Sequence, residues 1–85
     1  NITMYVQEQV FKKINNLDHP TRDVEFEDCV FEGCSFSQGD FTDAKFINCT
    51  FHNCDLSGTK LIRTSFQEVK FTNCTCLFKL FQIKN

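Results

Sequence analysis

An all-β solenoid is the fold class that this 85-residue sequence predicts, and three observations predict it. From Val24 the chain divides without a gap into VEFED, CVFEG, CSFSQ, GDFTD, AKFIN, CTFHN, CDLSG, TKLIR, TSFQE and VKFTN, and the centre of every unit is Phe or Leu. The residue two before each centre (Val24, Cys29, Cys34, Gly39, Ala44, Cys49, Cys54, Thr59, Thr64, Val69) is small or of moderate size and uncharged. The other three positions are almost wholly polar. A helical period would scatter these Phe side chains around a cylinder, and strand alternation would send successive ones to opposite faces. A short straight piece and a turn, repeated every five residues, instead points every centre and every minus-two residue into one interior.

This register, running from Val24 to about Cys76, resembles that of the pentapeptide-repeat family. The resemblance implies a right-handed quadrilateral β-helix with four units, hence twenty residues, per coil. The sequence carries its own support for that number. Residues twenty apart would stack at the strand spacing of roughly 4.8 Å, and at that offset Glu25 meets Lys45, Asp40 meets Lys60, Asp43 meets Arg63 and Glu32 meets His52. No like-charged pair occurs at offset twenty within the repeat; such cross-strand pairs are worth roughly 0.2–1 kcal/mol each, of either sign. The interior columns become Phe26, Phe46, Phe66; Phe31, Phe51, Phe71; Phe36, Leu56, Cys76; and Phe41, Leu61, Phe81, with Asn53 below Asn73 as a short amide ladder.

The pattern thins at both ends, dividing the chain into residues 1–23, an N-terminal capping strand and loop; residues 24–76, the β-helix; and residues 77–85, a C-terminal cap or truncated coil. About two and a half to three and a half coils result in all. MYVQEQVFKKI has β-type residues, with Phe11 in phase with Phe26. NNLDHPTRD drops the inward residues and holds the single Pro, so an irregular corner and loop are expected there. Met4 reads as the natural start, with Asn1 to Thr3 added before it. Past Cys76 the register would bury Lys79 unpaired, which is costly, so the regular coil should stop. Leu77, Phe78, Leu80, Phe81 and Ile83 then form an apolar end with open strand edges, a candidate contact for a homodimer.

Several motifs that suggest chemistry dissolve into the repeat. Cys29, Cys34, Cys49 and Cys54 have the look of a metal-binding quartet, yet period five accounts for their spacing, and with Cys74 they fill minus-two sites that suit a small buried thiol. Parallel stacking aims their Cβ vectors alike, which suits a disulfide poorly. The sequons at Asn48 and Asn73 arise from the repeat, and a third stands at Asn1. His52 is outward beside Glu32 and His19 lies in the loop before Pro20; neither has a nucleophile partner. The three glycines make no phosphate loop. The reading is of a protein that is not an enzyme and that takes no metal and no cofactor. A net charge of −2 and a pI near 5.6 argue against direct nucleic-acid binding. No run of 18 apolar residues and no basic-then-apolar leader is present, so a cytoplasmic protein with no membrane contact is expected.

Function is then expected in the outward residues of a structural or protein-interaction module, with a protein partner. The nominated surface comprises Glu27, Asp28, Ile47 and Glu68: carboxylates without a basic neighbour at offset twenty around one aliphatic side chain, suited to a basic groove. The resemblance implies an alternative, a DNA-mimicking modulator of gyrase or topoisomerase of the kind that protects against quinolones. Residues 24–43 favour it with six acids and no base, while Lys45, Lys60 and Arg63 of the following coil weigh against it.

Overall fold

The structure, a computed structural model, describes residues 3–15 and 19–76. Residues 77–85, and with them the proposed association end at Leu77, Phe78, Leu80, Phe81 and Ile83, lie outside the described residues. The described chain is a quadrilateral parallel β-helix. Its first face is a sheet of β1 (Met4–Gln7), β3 (Val24–Glu27), β5 (Lys45–Ile47) and β7 (Ser65–Gln67) in that order. Its second face is a sheet of β2 (Val10–Lys12), β4 (Val30–Glu32), β6 (Thr50–His52) and β8 (Lys70–Thr72). Single parallel bridges make the third face, Asn15 to Ser35 to Asp55 to Thr75, and the fourth, Asp40 to Lys60. Every register step is twenty residues: Phe26 pairs Phe46, Phe46 pairs Phe66, Phe31 pairs Phe51 and Phe51 pairs Phe71.

The corners explain how a coil of such short strands closes. Each described residue at the fifth position of a unit, from Glu8 to Asn73, has φ between +51° and +67°, and only Gly33 and Gly58 among them are glycines. A left-handed conformation costs an ordinary residue roughly 1–2 kcal/mol, and Asn and Asp tolerate it best; Asp23, Asp28, Asp43, Asn48, Asn53 and Asn73 occupy six of these corners. The return is a hydrogen bond along the coil axis. The N–H of Glu8, Lys13, Asp23, Asp28, Gly33, Gln38, Asp43, Asn48 and Asn53 each donates to the carbonyl nineteen residues ahead at 2.8–3.0 Å. No β-branched residue stands at any of these positions, as left-handed sterics demand.

Inside, Phe rings stack along columns and meet edge to face across corners. Phe26 lies 5.0 Å from Phe46 at 6°, and Phe31 lies 4.6 Å from Phe51 at 10°, while Phe46 and Phe51 meet at 65° and 5.3 Å. Both arrangements are favourable for the ring quadrupoles. Phe26 and Phe51 are wholly buried, as is most of the lumen of the middle coils.

The N-terminal segment departs from expectation. Where one capping strand is expected there are two strands in register, Met4 to Gln7 on Val24 to Glu27 and Val10 to Lys12 on Val30 to Glu32, while of the expected loop residues 16–18 lie outside the described residues and residues 19–23 form no strand. Beyond residues 16–18, the segment before β3 also carries inward residues. His19 occupies a minus-two position, its ring packed 4.9 Å from Phe11 and 6.0 Å from Phe26. Thr21 stands at a centre, buried, its hydroxyl donating to the carbonyl of Asp40 at 2.7 Å. The reason is that a neighbouring coil templates backbone pairing, and inward side chains need only fit the space. A void of about 10 Å³ between His19, Thr21 and the rings of Phe11, Phe26, Phe31 and Phe36 marks the mismatch. Among the described residues no helix is long and apolar enough to cross a membrane.

Candidate functional site

The lumen uses up most of the groups that carry chemistry. The thiols of Cys29, Cys34, Cys49, Cys54 and Cys74 donate to the carbonyls of Val6, Phe11, Phe26, Phe31 and Phe51 at 3.2–3.6 Å, always twenty-three residues back. Thr59 and Thr64 make the same bond through their hydroxyls, to Phe36 and Phe41, both at 2.8 Å. The minus-two site therefore selects a small side chain that can also donate, which is why Cys and Thr recur there. Burial pushes the Cys49 thiol up to about 11 and that of Cys54 up to about 12. Raised thiols are poor nucleophiles and poor metal ligands, and among the described residues no group of three His, Cys, Asp or Glu side chains is placed to hold a metal. The cysteine spacing is a packing pattern.

The outer surface is sorted by charge. Arg63 grips Asp43 through two bonds, Nε at 2.6 Å and a terminal nitrogen at 3.1 Å, and holds its carboxyl below the usual range. His52 lies 3.9 Å from Glu32, which also accepts from the Asn53 amide at 3.2 Å. Asp40, expected opposite Lys60, has it as a bridge partner but makes its ion pair with Arg22 at 3.3 Å. The hydrogen bond from the Thr42 hydroxyl lowers its carboxyl most; burial opposes this, and the Thr42 N–H with the charges of Lys60 and Arg22 adds to the lowering. Asn73 donates to Asn53 at 2.5 Å, completing the amide ladder.

The first face gathers the nominated residues. Glu27 and Ile47 are register partners in β3 and β5, both half-buried, and Asp28 and Glu68 lie exposed at left-handed corners of the same edge. Ile47 is thus less exposed than expected, because Glu27 and Gln67 flank it on the paired strands. Two of the carboxylates have neutral donors: Asn48 donates to Asp28 at 2.6 Å, and Glu27 accepts from Gln7 at 3.4 Å and from the hydroxyl of Tyr5. That last bond, then burial, then the charges of Glu27 and Glu25, push the Tyr5 phenol up to about 12. Tyr5, 51% exposed, is the surface residue that sequence reasoning missed. Extending offset twenty below Val24 would have placed it beneath Glu25.

Comparison with known proteins follows the same lines. The sequence pattern of the pentapeptide repeat region matches residues 24–78, well over half of the chain. Among solved structures, the chain is similar to a pentapeptide repeat protein from the cyanobacterium Cyanothece 51142, with a TM-score of 0.59 and 14% identity. The alignment covers 78% of this chain but only 46% of that one, and at such identity it speaks for the fold alone. No curated protein matches the sequence. With the five-residue register, the twenty-residue coil and the matched span in agreement, the chain belongs to the pentapeptide-repeat family.

Proposed function

We propose that the chain is a non-catalytic interaction module that docks a basic protein surface on its first face. The observation that carries this reading is the unequal neutralisation of its acids. Asp40 and Asp43 each have a cationic partner within 4.0 Å and Glu32 has the His52 imidazole, whereas Glu25, Glu27, Asp28 and Glu68, all on the first face or its corner, have none among the described residues; of the other described acids without one, Glu8, Asp23 and Asp55, only Asp55 stands away from that face and its corners. Uncompensated charge on a flat sheet around an aliphatic centre gives a partner both steering and a desolvated contact. The cytoplasm is the compartment in which its reduced thiols would persist.

The test uses a Lys- and Arg-rich peptide as probe. The triple variant Glu27→Gln, Asp28→Gln, Glu68→Gln keeps an acceptor for Tyr5 and Asn48 and should weaken binding about tenfold or more, with the remaining binding less dependent on salt. A control of equal charge change, Glu32→Gln, Asp40→Asn, Asp43→Asn, should weaken it much less. Equal losses in the two variants would reduce the effect to net charge and remove the first face as a site.

A second reading, modulation of gyrase or topoisomerase by resemblance to DNA, draws on the same unneutralised carboxylates of residues 24–43. It requires the wild-type chain to relieve quinolone inhibition in a supercoiling assay and the triple variant to lose that effect. A wild type without protection ends this reading and leaves the first intact.

A further inference from the structure

We propose that the first face reads an arginine: a guanidinium of the basic partner stacks on the ring of Tyr5 and donates to the carboxylates of Glu25 and Glu27. The inference rests on first-face docking and adds the chemical group that the docking selects. Tyr5 and Glu25 are register partners, and Glu27 follows two residues along the same strand, so the three side chains share the outward surface of β1 and β3. The Tyr5 hydroxyl donates to Oε1 of Glu27, which lays the ring as a diagonal across the face, from the Glu25 column to the Glu27 column. Gln7 braces that arrangement, its amide donating to the Tyr5 oxygen at 3.1 Å and to Oε1 of Glu27 at 3.4 Å. The ring is held in one place while Tyr5 stays half-exposed. The site lies on the outward surface of two paired strands and uses no backbone edge.

The acceptors that a cation needs are in place beside the ring. Glu25, half-buried, makes no hydrogen bond or ion pair among the described residues, and the second oxygen of Glu27, Oε2, accepts none. Lys45 is the register partner of Glu25 on its other side, yet it stands beyond 4.0 Å from every described carboxylate. Residues two apart on a strand are separated by about 6.6 Å, so Glu25 and Glu27 can close on a planar group from two sides. A guanidinium matches that arrangement: its five N–H donors form a fixed planar fork, it sheds water readily, and its flat face stacks on an aromatic ring. A lysine ammonium brings a point charge to the same carboxylates without the plane or the fork. A quaternary ammonium calls for a cage of several rings, and Tyr5 is the single aromatic residue at the outward positions of β1, β3, β5 and β7.

Two peptides of equal length, one with Arg and one with Lys as its only cations and both free of aromatic residues, test this by titration calorimetry against the intact chain. Wild type should bind the Arg peptide about fivefold or more tightly than the Lys peptide, the scale of an exposed cation–π contact with a forked carboxylate bond. The absorbance of Tyr5, the one Tyr in a chain without Trp, should shift more with the Arg peptide. Tyr5→Leu should bring the Arg peptide down to the affinity of the Lys peptide, and Tyr5→Phe, which keeps the ring and loses its anchor on Glu27, should fall between. Glu25→Gln should weaken the Arg peptide more than the Lys peptide. Thermal melts establish that each variant is folded; if Tyr5→Leu is not, Glu25→Gln, which leaves β1 untouched, decides alone, and equal losses for the two peptides then overturn the proposal. Equal affinities in wild type also overturn it, as does an Arg preference that survives in Tyr5→Leu. If the two peptides bind wild type equally and the triple variant Glu27→Gln, Asp28→Gln, Glu68→Gln weakens both, first-face docking stands and the guanidinium site falls. Binding of neither peptide up to about 1 mM removes both.

Discussion

The first coil, described at residues 4–15 and 19–23, and the second, residues 24–43, share their strand pairing and differ in their interiors. Both pair in parallel at offset twenty and both turn their described corners with left-handed residues. The second coil seals its lumen with Phe26, Phe31, Phe36 and Phe41, none more than 2% exposed. Among its described centres the first has Val6, Phe11 and Thr21, with the ring of His19 leaning in from a minus-two site. The difference separates two roles that the repeat combines. Corner chemistry and a neighbouring coil are enough to make a coil; the Phe or Leu centre decides how well the coil is filled.

The largest effect that can break this comparison is cavity formation. Phe51 is wholly buried, with rings of Phe31, Phe71 and Phe46 at 4.6, 5.1 and 5.3 Å. Phe51→Ala should destabilise by about 3–5 kcal/mol, enough to unfold a domain of this size, whereas Val6→Ala at the half-open end should cost about 1 kcal/mol. Urea denaturation followed by circular dichroism measures both. Equal losses would mean that the first coil bears as much of the core as the middle ones.

What the sequence made legible follows the same division. The inward columns could be read because Phe and Leu at period five have no other physical use, and the offset of twenty because Asp43 and Arg63 must lie close for their charges to matter. The first coil was hidden because Thr21 breaks the centre pattern and His19 breaks the minus-two pattern in the same unit. Together they occupy the interior, leaving a small void, and such a joint filling is invisible to a test of one position at a time. The corners were written plainly, as Asp28, Gly33, Asn48, Asn53, Gly58 and Asn73, but polarity at those positions reads first as solvent exposure and only second as a left-handed backbone. Tyr5 and the first-face carboxylates were harder still. A face is defined by what neighbours it, and Asn48 beside Asp28 or Gln7 beside Glu27 changes a carboxylate's surroundings without leaving any charge pattern.

Corners offer a sharper, intermediate effect. Gly33 has φ +64°, and an added Cβ there would meet Lys13 of the first coil at an ordinary 3.7 Å. Gly58 has φ +67°, and its Cβ would fall 2.2 Å from the amide nitrogen of Gln38 in the second coil. Gly33→Ala should therefore cost about 1–2 kcal/mol, the left-handed penalty alone. Gly58→Ala should cost more, by an excess that Gln38→Ala recovers in the double variant. Additivity of those two changes would show that the Gln38 side chain moves aside freely, leaving backbone conformation as the whole cost at every corner.

The smallest effect probes the joint between the two coils. Tyr5 of the first coil donates to Glu27 of the second, and the chain has one Tyr and no Trp, so ultraviolet absorbance follows that phenol alone. Its folded pKa of about 12 lies above the unfolded value of about 10. A group raised on folding contributes stability that is fully present below the unfolded value and is lost as pH rises through the folded one. The joint should therefore loosen between about pH 10 and pH 12, in an amount kept small by the exposure of the ring. Glu27→Gln removes the ionic acceptor and should return the titration midpoint most of the way towards 10. Glu25→Gln, which acts only through charge, should move it less. A wild-type midpoint already near 10 would mean that the hydrogen bond does not form in solution, and that the outer side chains of the first coil are held to the second by strand pairing alone.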